Sequence, residues 1–203
     1  MERPARWKMV DLIAKFRGYT EGSRKSGVVR PIPDFDQKIE IGAIDRFKGK
    51  QEIRVAVVRH LDQWFVLIAT YDNKDGAWVL VRWMLLEYPQ IPDLLEGIDK
   101  AGILLQTIAS TPADERPSLP HTTIQSPGSN GTTLLVQVDE YKGYFDAILT
   151  NIVTSTSART GNWCKFGSFD IQTVIPMFVQ AFDTITDSSP AIDSSEPEDS
   201  MAF

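Results

Sequence analysis

Two apolar runs of strand length, separated by a short polar turn, constrain the fold of this chain more than any other feature. Residues 63–70 and 77–86 are apolar at nearly every position, and residues 71–76 between them read Tyr-Asp-Asn-Lys-Asp-Gly, a composition typical of a turn. Strands that are apolar on both sides need cover on both faces of their sheet. The pattern therefore predicts an antiparallel hairpin at the centre of the main sheet.

Further strand signals lie on both sides of this hairpin. Residues 38–47 and 52–59 alternate apolar and polar positions, as half-buried strands do. Residues 132–138 and 144–155 are a second pair of strand-like runs, separated by a turn. The core is therefore predicted to be an antiparallel sheet built from hairpins or a meander.

A helical period appears twice. Residues 89–110 place Leu94, Ile98, Ala101, Leu105 and Ile108 on one stripe, which predicts a helix laid across the sheet. Residues 166–185 allow two interpretations: a last strand followed by a short helix from Pro176, or one helical stripe interrupted by that proline. The predicted fold class is therefore α+β, a β-rich antiparallel core with one or two covering helices.

The composition divides the chain into three regions. Residues 1–30 form a basic amphipathic arm, residues 31–182 a single β-rich core domain, and residues 183–203 an acidic tail predicted to be disordered because it has six Asp/Glu and no Lys/Arg. Within the core, the proline- and glycine-rich residues 111–131 predict a mobile loop.

The basic arm is the candidate binding element. Residues 1–30 hold eight Lys/Arg and three Asp/Glu, whereas the whole chain has a net charge of −6. Such asymmetry indicates a polyanionic ligand, either lipid headgroups or nucleic acid. The competing interpretation is that the arm is attracted to the acidic body and that its helix packs on the core. The candidate anion-binding residues are Arg3, Arg6, Lys8, Lys15, Arg17, Arg24, Lys25 and Arg30, and the candidate apolar contacts are Trp7, Leu12 and Phe16.

The residues that carry catalysis are scarce. The chain has two histidines and one cysteine, and it contains no phosphate-binding loop, dinucleotide fingerprint or Gly-x-Ser-x-Gly elbow. A zinc site needs three or four Cys/His ligands, so we predict no metal and no cofactor. An enzyme would have to use Cys164 with His121 as nucleophile and base. We favour a buried core role for Cys164, a turn-capping role for His60 and a surface position in the mobile loop for His121.

The leading hypothesis is a non-enzymatic structural or interaction protein. Its arm contacts an anionic membrane, and its core associates with itself or with a protein partner. A basic amphipathic arm on a compact β-rich body resembles the general layout of small viral matrix proteins, although the acidic net charge departs from that layout. The alternatives are a nucleic-acid-associated accessory or regulatory factor and a cytosolic enzyme that uses Cys164 and His121.

The expected location is the cytoplasm, at most peripheral to a membrane. No apolar run is long enough for a transmembrane segment, the N-terminus lacks a secretory-signal pattern, and a single cysteine excludes an internal disulfide.

Overall fold

Two four-stranded antiparallel sheets and two α-helices make up the described part of the chain. The computed structural model describes residues 31–129, 131–141 and 143–188. The predicted α+β class with an antiparallel core is confirmed. The basic arm, residues 1–30, and residues 189–203 of the tail lie outside the described residues.

The first sheet is a meander of four consecutive strands in the order β1-β2-β3-β4. Its strands are β1 Gln37–Arg46, β2 Gln51–His60, β3 Gln63–Lys74 and β4 Ala77–Glu87. As predicted, β3 and β4 form an antiparallel hairpin, but the turn is shorter than expected and consists of Asp75 and Gly76, both with positive φ. The predicted central position is wrong for β4, which is an edge strand, so the centre of the sheet is β2–β3. On one face of β4, Met84 and Leu86 belong to the main core, and β4 contacts β8 of the second sheet.

The second sheet has the order β5-β6-β7-β8 and is also antiparallel throughout. Its strands are β5 His121–Pro127, β6 Thr132–Tyr141, β7 Tyr144–Val153 and β8 Ala158–Phe166. The predicted loop over residues 111–131 is wrong in its second half, because β5 lies there and follows a 3₁₀ turn at Ala113–Glu115. Two side-chain hydrogen bonds fix β5 to the segment that follows the first sheet. Thr123 Oγ1 donates to the Gly97 carbonyl at 2.8 Å, and Ser126 Oγ donates to Asp93 at 2.6 Å.

Both helices follow a sheet in the chain. The helix α1, Ile91–Ser110, follows a 3₁₀ turn at Tyr88–Gln90 and matches its predicted stripe. The helix α2, Ser168–Ser188, runs continuously through the exposed Pro176, so the interpretation as one interrupted helical stripe is the right one. The predicted disorder is wrong for residues 183–188, which continue α2 because the fully buried Ile185 anchors its last turns.

One core joins the two sheets and the two helices. The helices pack against each other and against both sheets, and Phe166 of β8 meets Phe178 of α2 edge-to-face at 6.3 Å between ring centroids. The largest fully buried residues of this core include Ile53, Met84, Leu86, Leu94, Ile98, Leu134, Phe166 and Phe178. A second apolar cluster covers the opposite face of the first sheet.

The strand β8 crosses the first sheet instead of running along its strands. The Arg82 guanidinium of β4 lies 3.8 Å from the centroid of the Trp163 ring, and Thr70 Oγ1 of β3 lies 3.9 Å from Cys164 Sγ. The next β8 residue, Lys165, accepts a hydrogen bond at its carbonyl from Arg46 of β1. Three successive residues of β8 therefore contact three different strands, as in orthogonal sheet packing.

We predict that Gly97→Ala lowers the free energy of unfolding by roughly 1–2 kcal/mol, although alanine favours helix formation by about 1 kcal/mol. A Cβ at this position of α1 would lie 2.5 Å from Ile124 Cγ2 and 3.1 Å from Val136 Cγ2, so the helix or β5 must move. Urea denaturation measures the change. Asp99→Ala, on the exposed side of the same helix, is the control and is expected to shift stability by under about 0.5 kcal/mol. Unchanged stability of Gly97→Ala would contradict the contact between α1 and β5.

Candidate interaction site

A buried network of charges lies where β1, β7, β8 and α2 meet. Arg46 Nε lies 3.0 Å from a carboxylate oxygen of Asp170, and Arg46 Nη2 lies 4.0 Å from Asp146. Lys165 Nζ is 2.7 Å from the other oxygen of Asp146. The side chains of Arg46, Asp146 and Asp170 are 8%, 10% and 12% exposed. We call these four residues, Arg46, Asp146, Lys165 and Asp170, the charged corner.

Hydrogen bonds extend the charged corner into both sheets and into α2. Arg46 Nη1 donates to Gln51 Oε1 at 3.1 Å, and Gln51 Nε2 donates to Asp72 Oδ1 at 2.9 Å. At the start of α2, the Asp170 carboxylate accepts a hydrogen bond from the Gly167 amide at 2.7 Å. Two cations and two anions are thus paired at the corner, and each has at least one hydrogen-bond or ion-pair partner there, so the burial of charge is compensated.

Three exposed aromatic residues lie within two positions of charged-corner residues in the chain. Phe47 is 61% exposed, Tyr144 73% and Phe169 89%. Phe47 directly follows Arg46 in the chain, Phe169 directly precedes Asp170, and Tyr144 lies two residues before Asp146. The rings therefore belong to three separate segments that the charged corner holds together. We call Phe47, Tyr144 and Phe169 the aromatic end.

The turn that carries Phe47 holds the ring outward. Phe47 and Lys48 have φ values of 55° and 56°, a left-handed conformation that costs a residue with a side chain about 1 kcal/mol. The guanidinium carbon of Arg46 lies 4.9 Å from the centroid of the Phe47 ring. Lys48 and Lys50, both exposed, stand on either side of the turn glycine. The turn therefore presents an exposed ring with cations on both sides of it in the chain, Arg46 and Lys48.

The tip of the β3–β4 hairpin lies at the same end of the molecule. The Asn73 amide donates to the Lys50 carbonyl at 2.8 Å, and Trp78, which is 39% exposed, lies opposite Asn73 in the strand register. This hairpin adds a fourth ring and the exposed Lys74. The exposed acids Asp45 and Asp75 also lie in these turns, so the end is aromatic and of mixed charge.

The structure does not bring together Cys164 and His121, the pair that the enzyme alternative would need. Cys164 lies on β8 and His121 on β5, the two opposite edge strands of the second sheet, with β6 and β7 between them. At about 4.8 Å per strand, this places the two residues roughly 14 Å apart or more. Cys164 is 2% exposed, which confirms the interpretation of a buried core cysteine, and His121 is exposed on a strand instead of in the predicted loop.

Burial raises the pKa of the Cys164 thiol to about 11, although the nearby Thr70 hydroxyl acts in the opposite direction. At neutral pH the residue is therefore a thiol and a poor nucleophile.

His60 does not cap the β2–β3 turn as predicted. Its ring packs edge-on against Phe35 at 6.2 Å, and neither ring nitrogen has a hydrogen-bond partner among the described residues. The Asp36 carboxylate takes the capping role instead, by accepting a hydrogen bond from the Leu61 amide at 2.9 Å.

All predicted site residues of the arm lie outside the described residues. Within the described part, no group of three or more His, Cys, Asp or Glu side chains is placed to hold a metal ion. None of the helices described is both long enough and apolar enough to cross a membrane.

Sequence reasoning missed the aromatic end, although a signal for it exists. Phe47 lies two residues before Gly49 in the β1–β2 turn, and Tyr144 directly follows Gly143 after β6, so two separate hairpins place an aromatic residue beside a turn glycine. Aromatic residues in tight turns cannot all join a core, which makes this repetition a usable sign of exposed rings.

Comparison with known proteins yields little. No protein-family model matches the chain, and no curated protein sequence matches it. Among solved structures, the crystal structure of WHY1 from Arabidopsis thaliana is similar over 75% of this chain and 91% of that chain, with 9% identical residues and a TM-score of 0.32. Similarity at this level carries no argument about function.

We predict that Arg46→Met lowers the free energy of unfolding by about 3–5 kcal/mol, because Asp170 stays buried without a cation and Asp146 keeps only Lys165. The double variant Arg46→Met with Asp170→Asn is expected to recover at least about 1 kcal/mol of this loss, since one of the two carboxylates is then neutral. The control is Arg59→Met, which breaks an exposed pair with Asp62 and is expected to cost under about 1 kcal/mol. Equal losses in the two single variants, measured by urea denaturation, would contradict the buried network.

We also predict that Cys164 reacts with an aromatic disulfide reagent at pH 8 at least about a hundredfold more slowly in the native protein than in urea. With a pKa of about 11 and 2% exposure, the thiol is both protonated and inaccessible. Because Cys164 is the single cysteine of the chain, the absorbance of the released thiolate reports on it alone. Rapid native reaction would restore the nucleophile hypothesis.

Proposed function

We propose that this protein is a non-enzymatic binding protein whose ligand is single-stranded nucleic acid, which it contacts through the aromatic end and through the basic residues 1–30. The observation that carries the proposal is that Phe47, Tyr144 and Phe169 are each more than half exposed and each lie within two residues of a member of the charged corner.

Separate exposed rings suit base stacking. Each nucleobase has a π-face, so an aromatic side chain that projects into solvent binds any base, with about 1–3 kcal/mol per stacked base. The rings of the aromatic end are held by segments whose backbones the charged corner fixes, so little conformational entropy is lost when a base stacks on them. Duplex DNA offers no free base faces, which makes a single strand the better ligand.

Cations for the phosphates come from two sources. Lys48, Lys50 and Lys74 are exposed in the turns beside the rings. Residues 1–30 add eight Lys/Arg, although the whole chain has a net charge of −6. Binding through these cations should weaken as salt is added. The acidic body repels phosphates, so the protein should contact only a short stretch of the strand.

An anionic membrane is the second candidate ligand, because residues 7–17 are amphipathic and place Trp7, Leu12 and Phe16 on an apolar surface. In that case the protein is a peripheral, matrix-like structural protein whose body associates with itself. The aromatic end favours nucleic acid, since its rings stand on separate segments with Asp45 and Asp75 in adjacent turns, and insertion would carry these acids into the interface.

We predict that replacing Phe47, Tyr144 and Phe169 together by alanine weakens binding of a labelled 20-nucleotide oligo-dT or oligo-U by at least about a hundredfold, since each stacked ring contributes about 1–3 kcal/mol. Fluorescence anisotropy at low and moderate salt measures the affinity, and thermal unfolding checks that the core is intact.

The matched control is the variant Ile103→Ala with Val179→Ala, which removes exposed apolar side chains from the two helices and should bind like the parent. Parent-like affinity of the triple variant would refute the role of the aromatic end. A parent that binds phosphatidylserine vesicles and neither oligonucleotide would establish the membrane candidate instead.

A further inference from the structure

The first sheet has a second apolar face, on the side away from the main core. Its residues alternate with the core-facing ones along β2, β3 and β4 and pair across strands, as in Ala56 with Leu67 and Ala69 with Trp83. We call this surface the outer face. It consists of Ala56, Val58, Phe65, Leu67, Ala69 and Trp83, all between 0% and 6% exposed.

Few described residues outside the sheet contact the outer face. Ile32 and Phe35 pack on it, and their short segment is fixed at the β2–β3 end, where the Asp36 amide donates to the Arg59 carbonyl at 2.9 Å. Both helices contribute their buried residues to the main core, on the other side of the sheet. One extended segment is about 5 Å wide, whereas a face of three strands is about 10–15 Å wide. The segment is therefore too narrow to cover the whole outer face.

We propose that residues 1–30 of the same chain lie across the outer face with their apolar side against it. Chain continuity supports this occupant, because Ile32, at the start of the described chain, already lies on the face. The dimensions agree as well: residues 7–17 as a helix would be about 16 Å long and about 10 Å wide, enough to cover three strands. Leu12 and Phe16 supply apolar side chains to pack on Leu67 and Ala69.

In this orientation the lysines of the arm remain accessible to an anionic ligand. On the helical wheel, Lys8, Asp11 and Lys15 share a narrow polar face, and Met9, Ile13 and Phe16 lie on the opposite half of the helix. With the apolar side on the sheet, that polar face points to solvent and forms a basic stripe on an acidic body. The docking of the arm does not depend on the proposed function. The use of the basic stripe to bind phosphates does depend on the proposed function.

The test is photo-crosslinking in the full-length chain with p-benzoylphenylalanine in place of Phe16. We expect crosslinks to residues of the outer face in the same chain, mapped by mass spectrometry. A mixture of light and isotope-labelled chains separates crosslinks within a chain from those between chains. The matched control has the photoreactive residue in place of Lys8 and should give under about one tenth of the outer-face crosslinks, because it faces solvent.

A second variant tests the docking without a crosslinker. Leu12→Asp with Phe16→Asp should expose the outer face, raise the binding of a hydrophobic dye severalfold and speed amide hydrogen exchange in β3. Lys8→Asp with Lys15→Asp, which keeps the apolar side, should change neither signal. Crosslinks between chains would assign the outer face to a second copy, and their absence from the outer face would equally overturn the proposal.

Crosslinking in the presence of oligo-dT distinguishes this inference from the proposed function. Added oligo-dT should leave the Phe16 crosslinks in place, because the docked arm binds phosphates through its solvent side. Outer-face crosslinks in a protein that binds no oligonucleotide would refute the proposed function and keep the docking. Loss of the crosslinks when oligonucleotide binds would show that the arm leaves the sheet, which refutes the simultaneous arrangement proposed here.

Discussion

The buried guanidinium of Arg46 determines how the two sheets meet. A charge that is 8% exposed is costly unless it is paired, and its partners come from elsewhere in the fold: Asp146 from β7, Asp170 from α2 and a carbonyl from β8. Any sliding of β8 along the first sheet would separate Arg46 from at least one of them. The network restricts how β8 lies on the first sheet, because a shift that separates Arg46 from its partners leaves charges buried without compensation.

The same constraint positions the aromatic end. Phe47, Tyr144 and Phe169 are within two residues of members of the charged corner, so their backbones inherit its fixed geometry. Exposed rings on flexible loops would lose binding free energy when a ligand ordered them, and rings on fixed segments lose less. The left-handed φ values at Phe47 and Lys48 agree with this interpretation, because the fold maintains a strained turn that presents a ring to solvent.

How much the sequence predicts depends on where the determining contacts lie. The β3–β4 hairpin and α1 are visible in the sequence because their apolar period and turn residues are local. In contrast, β5 has a weak apolar pattern and is held by tertiary hydrogen bonds from Thr123 and Ser126, which no local pattern contains. The continuity of α2 is decided by the burial of Ile185, beyond the proline that suggested a break. The charged corner joins residues from positions 46 to 170 and was likewise invisible, and the candidate arm was found by charge alone.

The two interpretations of the arm, core packing and anion binding, are compatible once the first sheet is considered. Its central strands carry apolar residues on both sides, Val55 and Val57 toward the main core and Ala56 and Val58 toward the outer face. The second sheet and both helices occupy one side, so cover for the other must come from elsewhere. A helix with a wide apolar surface and a narrow cationic one provides that cover and still presents its charge to solvent. On this proposal the arm is both a layer of the fold and a binding surface, and eight of the 21 Lys/Arg of an acidic protein belong to a segment whose apolar side covers the first sheet.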